Sequence, residues 1–372
     1  MKKIAVFLCL LLLTFTAFGT FYFVNKKTPL SLISLQPSPT PELPLLKYRI
    51  EELHQRQYQP SQIVIEKEVK KEASFSSYIF SYQTTSKKMT GLINIPTSPD
   101  PQIPLPILIM IRGYIPPATY TSGSGTKSAG EFFAQHGYIT IAPDFLGFGG
   151  SDPESSDVWE ARFLKPIQIV ELLKTIQKQT AITLPTESVI LDNQHVGIWA
   201  HSNGGQIALT ALEITSDSVP ATLWAPVTAP FPYSILYFSD EETDEGKASR
   251  KWINEFDKEY DSFDYSLTQH LNLLNANLQL HQGVADEAIH YIWSDEFVDK
   301  IKAESERRKK LAQDNENDTS QSTEATPSAK INASLTPLEI TYFKYPNSNH
   351  NMQPDWSAII QRDLDFFDKR LK

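Results

Sequence analysis

Val196-Gly197-Ile198-Trp199-Ala200-His201-Ser202-Asn203-Gly204-Gly205-Gln206-Ile207-Ala208-Leu209 decides the fold of this chain. Val196 to Ala200 is a short apolar run with the length of a buried strand, and Ile207 to Leu212 is the apolar part of a helix. Only His201 to Gln206 lie between them, so the backbone must reverse in a tight strand-to-helix turn. Such a turn needs small residues beside its apex, which Ala200, Gly204 and Gly205 supply. Ser202 then stands clear at a helix N-terminus, where unpaired N–H groups point. That position suits a nucleophile whose attack generates an oxyanion.

Outward from this turn, apolar runs alternate with helical segments. Strands are predicted at Pro106–Ile111, Tyr138–Ala142, Ala221–Ala225, Leu278–His281 and Ile340–Phe343. Helices are predicted at Ser128–His136, at Leu164–Gln179 entered past Pro166, and at the amphipathic Asp355–Leu371. Tyr78–Thr84 and Met89–Ile95 alternate and should pair antiparallel around Thr85-Ser86-Lys87-Lys88. The fold class is therefore α/β: a mostly parallel central sheet covered by helices.

A serine nucleophile needs a base to take its proton and a carboxylate to orient that base. On an open α/β sheet both come from loops at the carboxyl ends of later strands. The loop Gln282-Gly283-Val284-Ala285-Asp286-Glu287-Ala288-Ile289 offers Asp286, with Glu287 and Asp295 as weaker rivals. The loop Tyr345-Pro346-Asn347-Ser348-Asn349-His350-Asn351-Met352 offers His350. The other histidines read as packing or surface residues, His201 as a supporting neighbour of the nucleophile. Ser202, Asp286, His350 is the chain order of the α/β-hydrolase triad.

The elbow, with Ala200 at the first glycine position of G-x-S-x-G, resembles that of the α/β-hydrolases. Ser202-Asn203-Gly204-Gly205, Gly283-x-x-Asp286 and Tyr345-Pro346-x-x-x-His350 together resemble the catalytic domain of the prolyl oligopeptidase family and its dienelactone-hydrolase-like relatives, over roughly Tyr78 to Lys372. The resemblance implies Ser202 as nucleophile, Asp286 as acid and His350 as base. The oxyanion hole would take one N–H from Asn203 and one from Tyr114, in the loop Arg112-Gly113-Tyr114-Ile115-Pro116-Pro117. That loop begins His-Gly in relatives, and Arg112 replaces the histidine here.

Two departures bear on substrate. Dienelactone hydrolases use a cysteine nucleophile, whereas the only cysteine here, Cys9, lies near the N-terminus. Oligopeptidases carry a β-propeller before the catalytic domain, which the short stretch between Leu46 and Tyr78 is too small to form. The expectation is a serine hydrolase cleaving peptide or ester bonds of a small-molecule or peptide substrate. A carboxylesterase is the alternative within that class, and a non-catalytic binding module on the same fold the alternative outside it. No cofactor or metal is expected, since no His, Cys or carboxylate cluster has ligand spacing.

Composition sets the surroundings. Of 372 residues, 41% are hydrophobic and 21% charged, which suffices for a large buried core. The net charge of −10, with no basic cluster, argues against nucleic-acid binding. Lys2-Lys3 precede an uncharged run, Ile4 to Val24, of membrane-spanning length. Residues 1–27 are read as a signal anchor that holds the body outside the cytoplasm, with cleavage and secretion as the alternative. Residues 28–46 form a Pro-rich linker and 47–372 the α/β-hydrolase domain. Within that domain, about 231–274 is an aromatic-rich cap insert with predicted helices Glu241–Tyr260 and Ser266–Leu274. About 312–335 is too polar to bury and is expected to be a disordered surface loop.

Overall fold

The computed structural model describes residues 43–97, 100, 102–185, 187–239, 243–318 and 336–372. The predicted signal anchor and the Pro-rich stretch up to Glu42 lie outside them. Among the described residues, no helix is long and apolar enough to cross a membrane.

Leu45–Lys372 forms one unit. In chain order its elements are α1 (Ile50–Gln55), β1 (Val64–Lys71), β2 (Phe75–Thr84), β3 (Lys87–Pro96), β4 (Leu105–Ile111), α2 (Lys127–Gln135), β5 (Ile139–Pro143), α3 (Val158–Lys178) and β6 (Ala181–Thr183). There follow β7 (Ser188–His201), α4 (Asn203–Thr215), β8 (Ala221–Trp224), α5 (Tyr233–Ser239), α6 (Lys247–Phe256), β9 (Leu278–Gly283), α7 (Tyr291–Asp318), β10 (Ile340–Tyr345) and α8 (Trp356–Leu371).

The strands lie in the order β1-β2-β3-β5-β4-β7-β8-β9-β10, with β6 paired antiparallel to β7. The first three form an antiparallel meander that joins β5. From β5 to β10 every neighbouring pair is parallel. Thr85 and Ser86 both take positive φ, 47° and 64°, the turn that matches the twist of a two-residue hairpin and sets Thr84 opposite Lys87. β4 and β5 are buried along their whole length, as parallel strands covered on both faces should be. One core layer packs α2 and α8 on the sheet through Phe133, Tyr138, Trp199, Trp224 and Phe367.

The α8 layer is also tied by a buried polar network. Asp363 accepts from Trp224 Nε1 at 2.6 Å and from Gln279 Nε2 at 2.9 Å, and His281 Nε2 lies 2.9 Å from its Oδ1. His281 Nδ1 reaches the Tyr345 hydroxyl at 2.8 Å. One helix is thereby fastened to β8, β9 and β10.

Several elements differ from the sequence reading. Strand β1 is an edge strand of alternating charged residues, and its exposed face hid it from hydropathy. Leu45, assigned to the linker, is buried, so the domain begins there rather than at residue 47. Helix α3 starts at Val158 rather than Leu164; Asp157 caps it by accepting from the N–H groups of Trp159 and Glu160, and Pro166 sits inside. Ser266–Leu274 is not an α-helix: short 3-10 turns at Ser262–Tyr265 and Leu267–Gln269 stand there. Helix α7 runs to Asp318, so 312–318 is helical rather than loop, and 319–335 lies outside the described residues. The long helix is pinned by Arg308, fully buried, whose guanidinium donates to the carbonyls of Leu271, Asn272, Leu274 and Thr336 and to Glu304.

Candidate active site

Ser202 occupies the apex between β7 and α4 with φ 58° and ψ −126°. A non-glycine residue rarely holds such a backbone, and it persists only where the surroundings impose it. Here they do. The Ser202 N–H donates to the Trp224 carbonyl at 2.8 Å, and its own carbonyl accepts from Gly205 and Val227 at 2.9 and 3.1 Å. A Cβ on Gly204 would collide with the carbonyls of Ile111 and Arg112, and one on Gly205 would lie 2.5 Å from Pro226 Cβ. The glycines after the serine are thus required by the neighbouring strand ends β4 and β8.

Asp286 and His350 stand on the loops after β9 and β10, the two adjacent parallel strands at the far edge of the sheet. The loops touch closely: a Cβ on Gly283 would run into the Ser348 carbonyl. His350 Nδ1 lies 3.0 and 3.1 Å from the two oxygens of Asp286, whose side chain is fully buried. Asp286 also accepts from the N–H groups of Ala288 and Ile289 and from Gln282 Nε2. Burial alone would raise its pKa. The hydrogen bonds from His350 and Ile289 and the nearby imidazole outweigh it and hold the carboxyl below its ordinary value.

The two rivals are placed elsewhere. Asp295 accepts from the Tyr342 hydroxyl at 2.7 Å and pairs with Lys344 at 2.9 Å. Glu287 accepts from the His350 main-chain N–H at 3.2 Å and so meets the loop, not the ring. No hydrogen bond joins Ser202 Oγ to the His350 ring in this structure, and such bonds commonly tighten only around a substrate.

The loop after β4 passes directly in front of the serine. A Cβ on Gly113 would lie 2.8 Å from Ser202 Cβ and 3.3 Å from Oγ. Tyr114 follows it and is 74% exposed. Asn203 opens α4, so its N–H has no partner within the helix. Among the described residues, no backbone acceptor takes the N–H of Asn203 or of Tyr114.

His201, next to Ser202, points its Nε2 at the His350 main-chain carbonyl, 2.9 Å away. Burial, with the His350 charge adding to it, pushes its pKa down to about 4. The ring is neutral at pH 7 and the carbonyl requires its Nε2 to carry the hydrogen.

Beside Asn203 opens a cavity of about 400 Å³. Its walls come from the loop after β4, from α1, α3 and α4, and from Tyr265 of the insert. Phe231, Phe256 and Tyr265 pack on Trp159 and Phe163 of α3, which fixes the insert against that wall. Phe238 instead meets Trp293, and Trp252 is 46% exposed; neither lines the cavity. Of the cavity's cationic residues, Arg162 and Lys165 on α3 were not singled out from the sequence. Their signal, two cations spaced i, i+3, straddled the predicted helix start at Leu164, which left Arg162 outside the helix. Among the described residues, no group of His, Cys, Asp and Glu is arranged to hold a metal ion.

The strand order, the elbow and the three loop positions define the α/β-hydrolase fold, and solved structures of that class superpose on this chain. An acetyl xylan esterase from Paenibacillus sp. R4 does so with TM-score 0.57 at 15% identity, over 90% of this chain and 97% of its own. Acetyl xylan esterase 1 from Thermoanaerobacterium sp. gives 0.56 at 12% identity, over 88% and 94%. A puromycin-hydrolyzing peptidase from Mycobacterium tuberculosis gives 0.53 at 13% identity, over 81% of this chain but 40% of its own. No protein-family model and no curated protein matches the sequence.

Proposed function

We propose that the protein is a serine hydrolase acting by acyl transfer, with carboxylic esters as its substrates ahead of peptides. The observation that carries the reading is the His350–Asp286 contact at 3.0 Å, presented by adjacent strand ends toward the sheet crest that holds the strained Ser202. Ser202 Oγ attacks the acyl carbon while its proton passes to His350 Nε2. Asp286 holds the Nδ1–H and stabilises the imidazolium. The N–H groups of Asn203 and Tyr114 receive the oxyanion. The leaving alcohol takes the proton from Nε2, and water then repeats the sequence to release the acid and restore the serine.

The ester preference rests on the cavity of about 400 Å³ beside the serine, which fits a compact acyl group better than an extended chain. The end-to-end superposition on two esterases agrees with it. The insert 231–274 acts as a cap that walls this cavity through Tyr265, and the domain works outside the cytoplasm on its N-terminal anchor. The test is fluorophosphonate labelling with turnover of short 4-nitrophenyl esters and of aminoacyl anilides. Ser202→Ala should lose both labelling and turnover in a folded protein. Labelling retained by that variant overturns the assignment, and anilides turned over faster than esters would reverse the substrate order.

A further inference from the structure

The cavity beside Ser202 is positively charged in a protein that is acidic overall. Arg112, Arg162 and Lys165 line it against a single carboxylate among its described residues, Glu154. The three cations are not equivalent. Arg112 is committed to the fold: it donates to the carbonyls of Gly113 and Asp144 and lies over the Phe148 and Tyr120 rings at 4.3 and 4.5 Å. Lys165 meets Glu154 at 3.6 Å and has a weak contact with the Ala161 carbonyl. Arg162 is held more loosely, with its guanidinium 6.0 Å from the centre of the Phe231 ring. Its one hydrogen bond goes to a neutral group, Gln206 Oε1 at 3.0 Å, and among the described residues no carboxylate pairs with it.

Arg162 is half-buried, so its guanidinium has given up part of its hydration without gaining a carboxylate in return. Burial pushes the Arg162 pKa down to about 10, still far above any working pH, so the charge remains. Lys165 is held below its ordinary value first by burial, with Glu154 opposing and Arg162 and Arg112 contributing repulsion. A group of like charges kept together this way is what a ligand anion would relieve.

The position relative to the reacting atoms says which part of the substrate brings that anion. The leaving group must meet His350, which protonates it. No residue of the His350 loop or of the Asp286 loop lines the cavity, whereas Asn203 and, one turn on, Gln206 do. A group entering from Ser202 past Gln206 toward Arg162 is therefore the acyl part. Tyr48, Tyr265 and Phe163 provide an apolar wall for its carbon chain.

We infer that Arg162, with Lys165 beside it, forms an anion subsite for the acyl group, so that the substrates are half-esters whose acyl chain ends in a carboxylate. This rests on the hydrolase reading above and narrows its substrate. Arg162 is a specificity-determining residue here, and Gln206 positions it.

The experiment compares 4-nitrophenyl hydrogen succinate, glutarate and adipate with the 4-nitrophenyl methyl diester of each acid, equal in length but uncharged. The charged member of at least one pair should have the higher kcat/KM, by a factor on the order of 10 to 100, the worth of a charge-assisted hydrogen bond. Arg162→Gln should collapse that ratio, Arg162→Lys should restore part of it, and Lys165→Gln should lower it less. Wild-type ratios at or below one across the series would overturn the subsite, as would a ratio unchanged in Arg162→Gln. A parallel binding measurement separates this inference from the hydrolase reading. Ser202→Ala protein should bind benzyl hydrogen glutarate more tightly than benzyl methyl glutarate by calorimetry. Charge-selective binding without turnover of any ester by the wild type would uphold the subsite and sink the hydrolase reading. Turnover without charge selectivity would do the reverse.

Discussion

The His201 ring donates its Nε2–H to the main-chain carbonyl of His350 at 2.9 Å, and the two imidazoles lie 4.7 Å apart, centre to centre. The residue before Ser202 therefore holds the loop that carries His350. This contact is made by a neutral ring, and that has a consequence for pH. In the unfolded chain His201 binds its proton near its ordinary value of about 6.5; in the fold it does so only near about 4. Between those values the unfolded state binds more protons, so the stabilisation is complete above about pH 6.5 and is lost as pH falls toward 4. His201→Gln keeps a donor and removes the titration. Its melting temperature should fall less than that of the wild type between pH 7.5 and 4.5, and parallel curves would contradict this.

Asp286→Asn should lower kcat by a factor on the order of 10⁴ while leaving the fold intact, because an amide cannot hold the same imidazole tautomer or stabilise the imidazolium. Asp295→Asn should leave kcat near wild type, since Asp295 is occupied by Tyr342 and Lys344. Steady-state kinetics of the two variants decide between them.

Gly113→Ala would place a methyl group 2.8 Å from Ser202 Cβ and 3.3 Å from Oγ. The loop or the serine must shift, and either displaces the Tyr114 N–H from the oxyanion. A loss of kcat on the order of 100-fold is expected, the scale of one missing oxyanion donor, with little change in melting temperature. Undiminished kcat would show that the Gly113–Tyr114 loop does not form the hole.

Glu213 on α4 is fully buried, and neither carboxyl oxygen has a hydrogen-bond partner. Burial raises its pKa well above the ordinary value, so the folded state binds a proton that the unfolded chain releases at neutral pH. Its contribution is complete at acid pH and drains away as pH rises through the folded value. Glu213→Leu or Glu213→Met should therefore stabilise the protein by about 1–3 kcal/mol at pH 8 and by less at pH 5. Denaturant melts at both pH values test the difference; a variant less stable at pH 8 would point to an unseen partner for the carboxyl.

Much of this architecture was legible because the parallel strands are apolar on both faces and the elbow needs small residues at fixed offsets. The runs at Ile107–Ile111 and Val196–Ala200 could hardly be read otherwise, and Gly283 and Ser348 show why the acid and base loops need their short spacing. What escaped was amphipathic or charged. β1 alternates Glu and Lys with Val on an edge, so no hydropathy run marks it. The first turns of α3 were lost because Leu164 was taken as its start, although Asp157 provides the cap. With them went Arg162, which shares with Lys165 one wall of the cavity, a relation between α3 and α4 that no local pattern encodes.

The sheet order also sets a sequence in time. Of these parts the elbow on β7 is translated first, the Asp286 loop next, then the His350 loop, and α8 after it. Yet Asp363 on α8 is the common acceptor for Trp224 and Gln279, and it lies against His281, on the strands that support the acid. A ribosome-bound chain can fold its meander and its first parallel strands while still lacking both its base and the helix that braces β8 and β9. On the proposed reading, the chain should not hydrolyse esters before β10 and α8 have joined the sheet. Any premature stop before α8 should yield a harmless fragment rather than a partly active one.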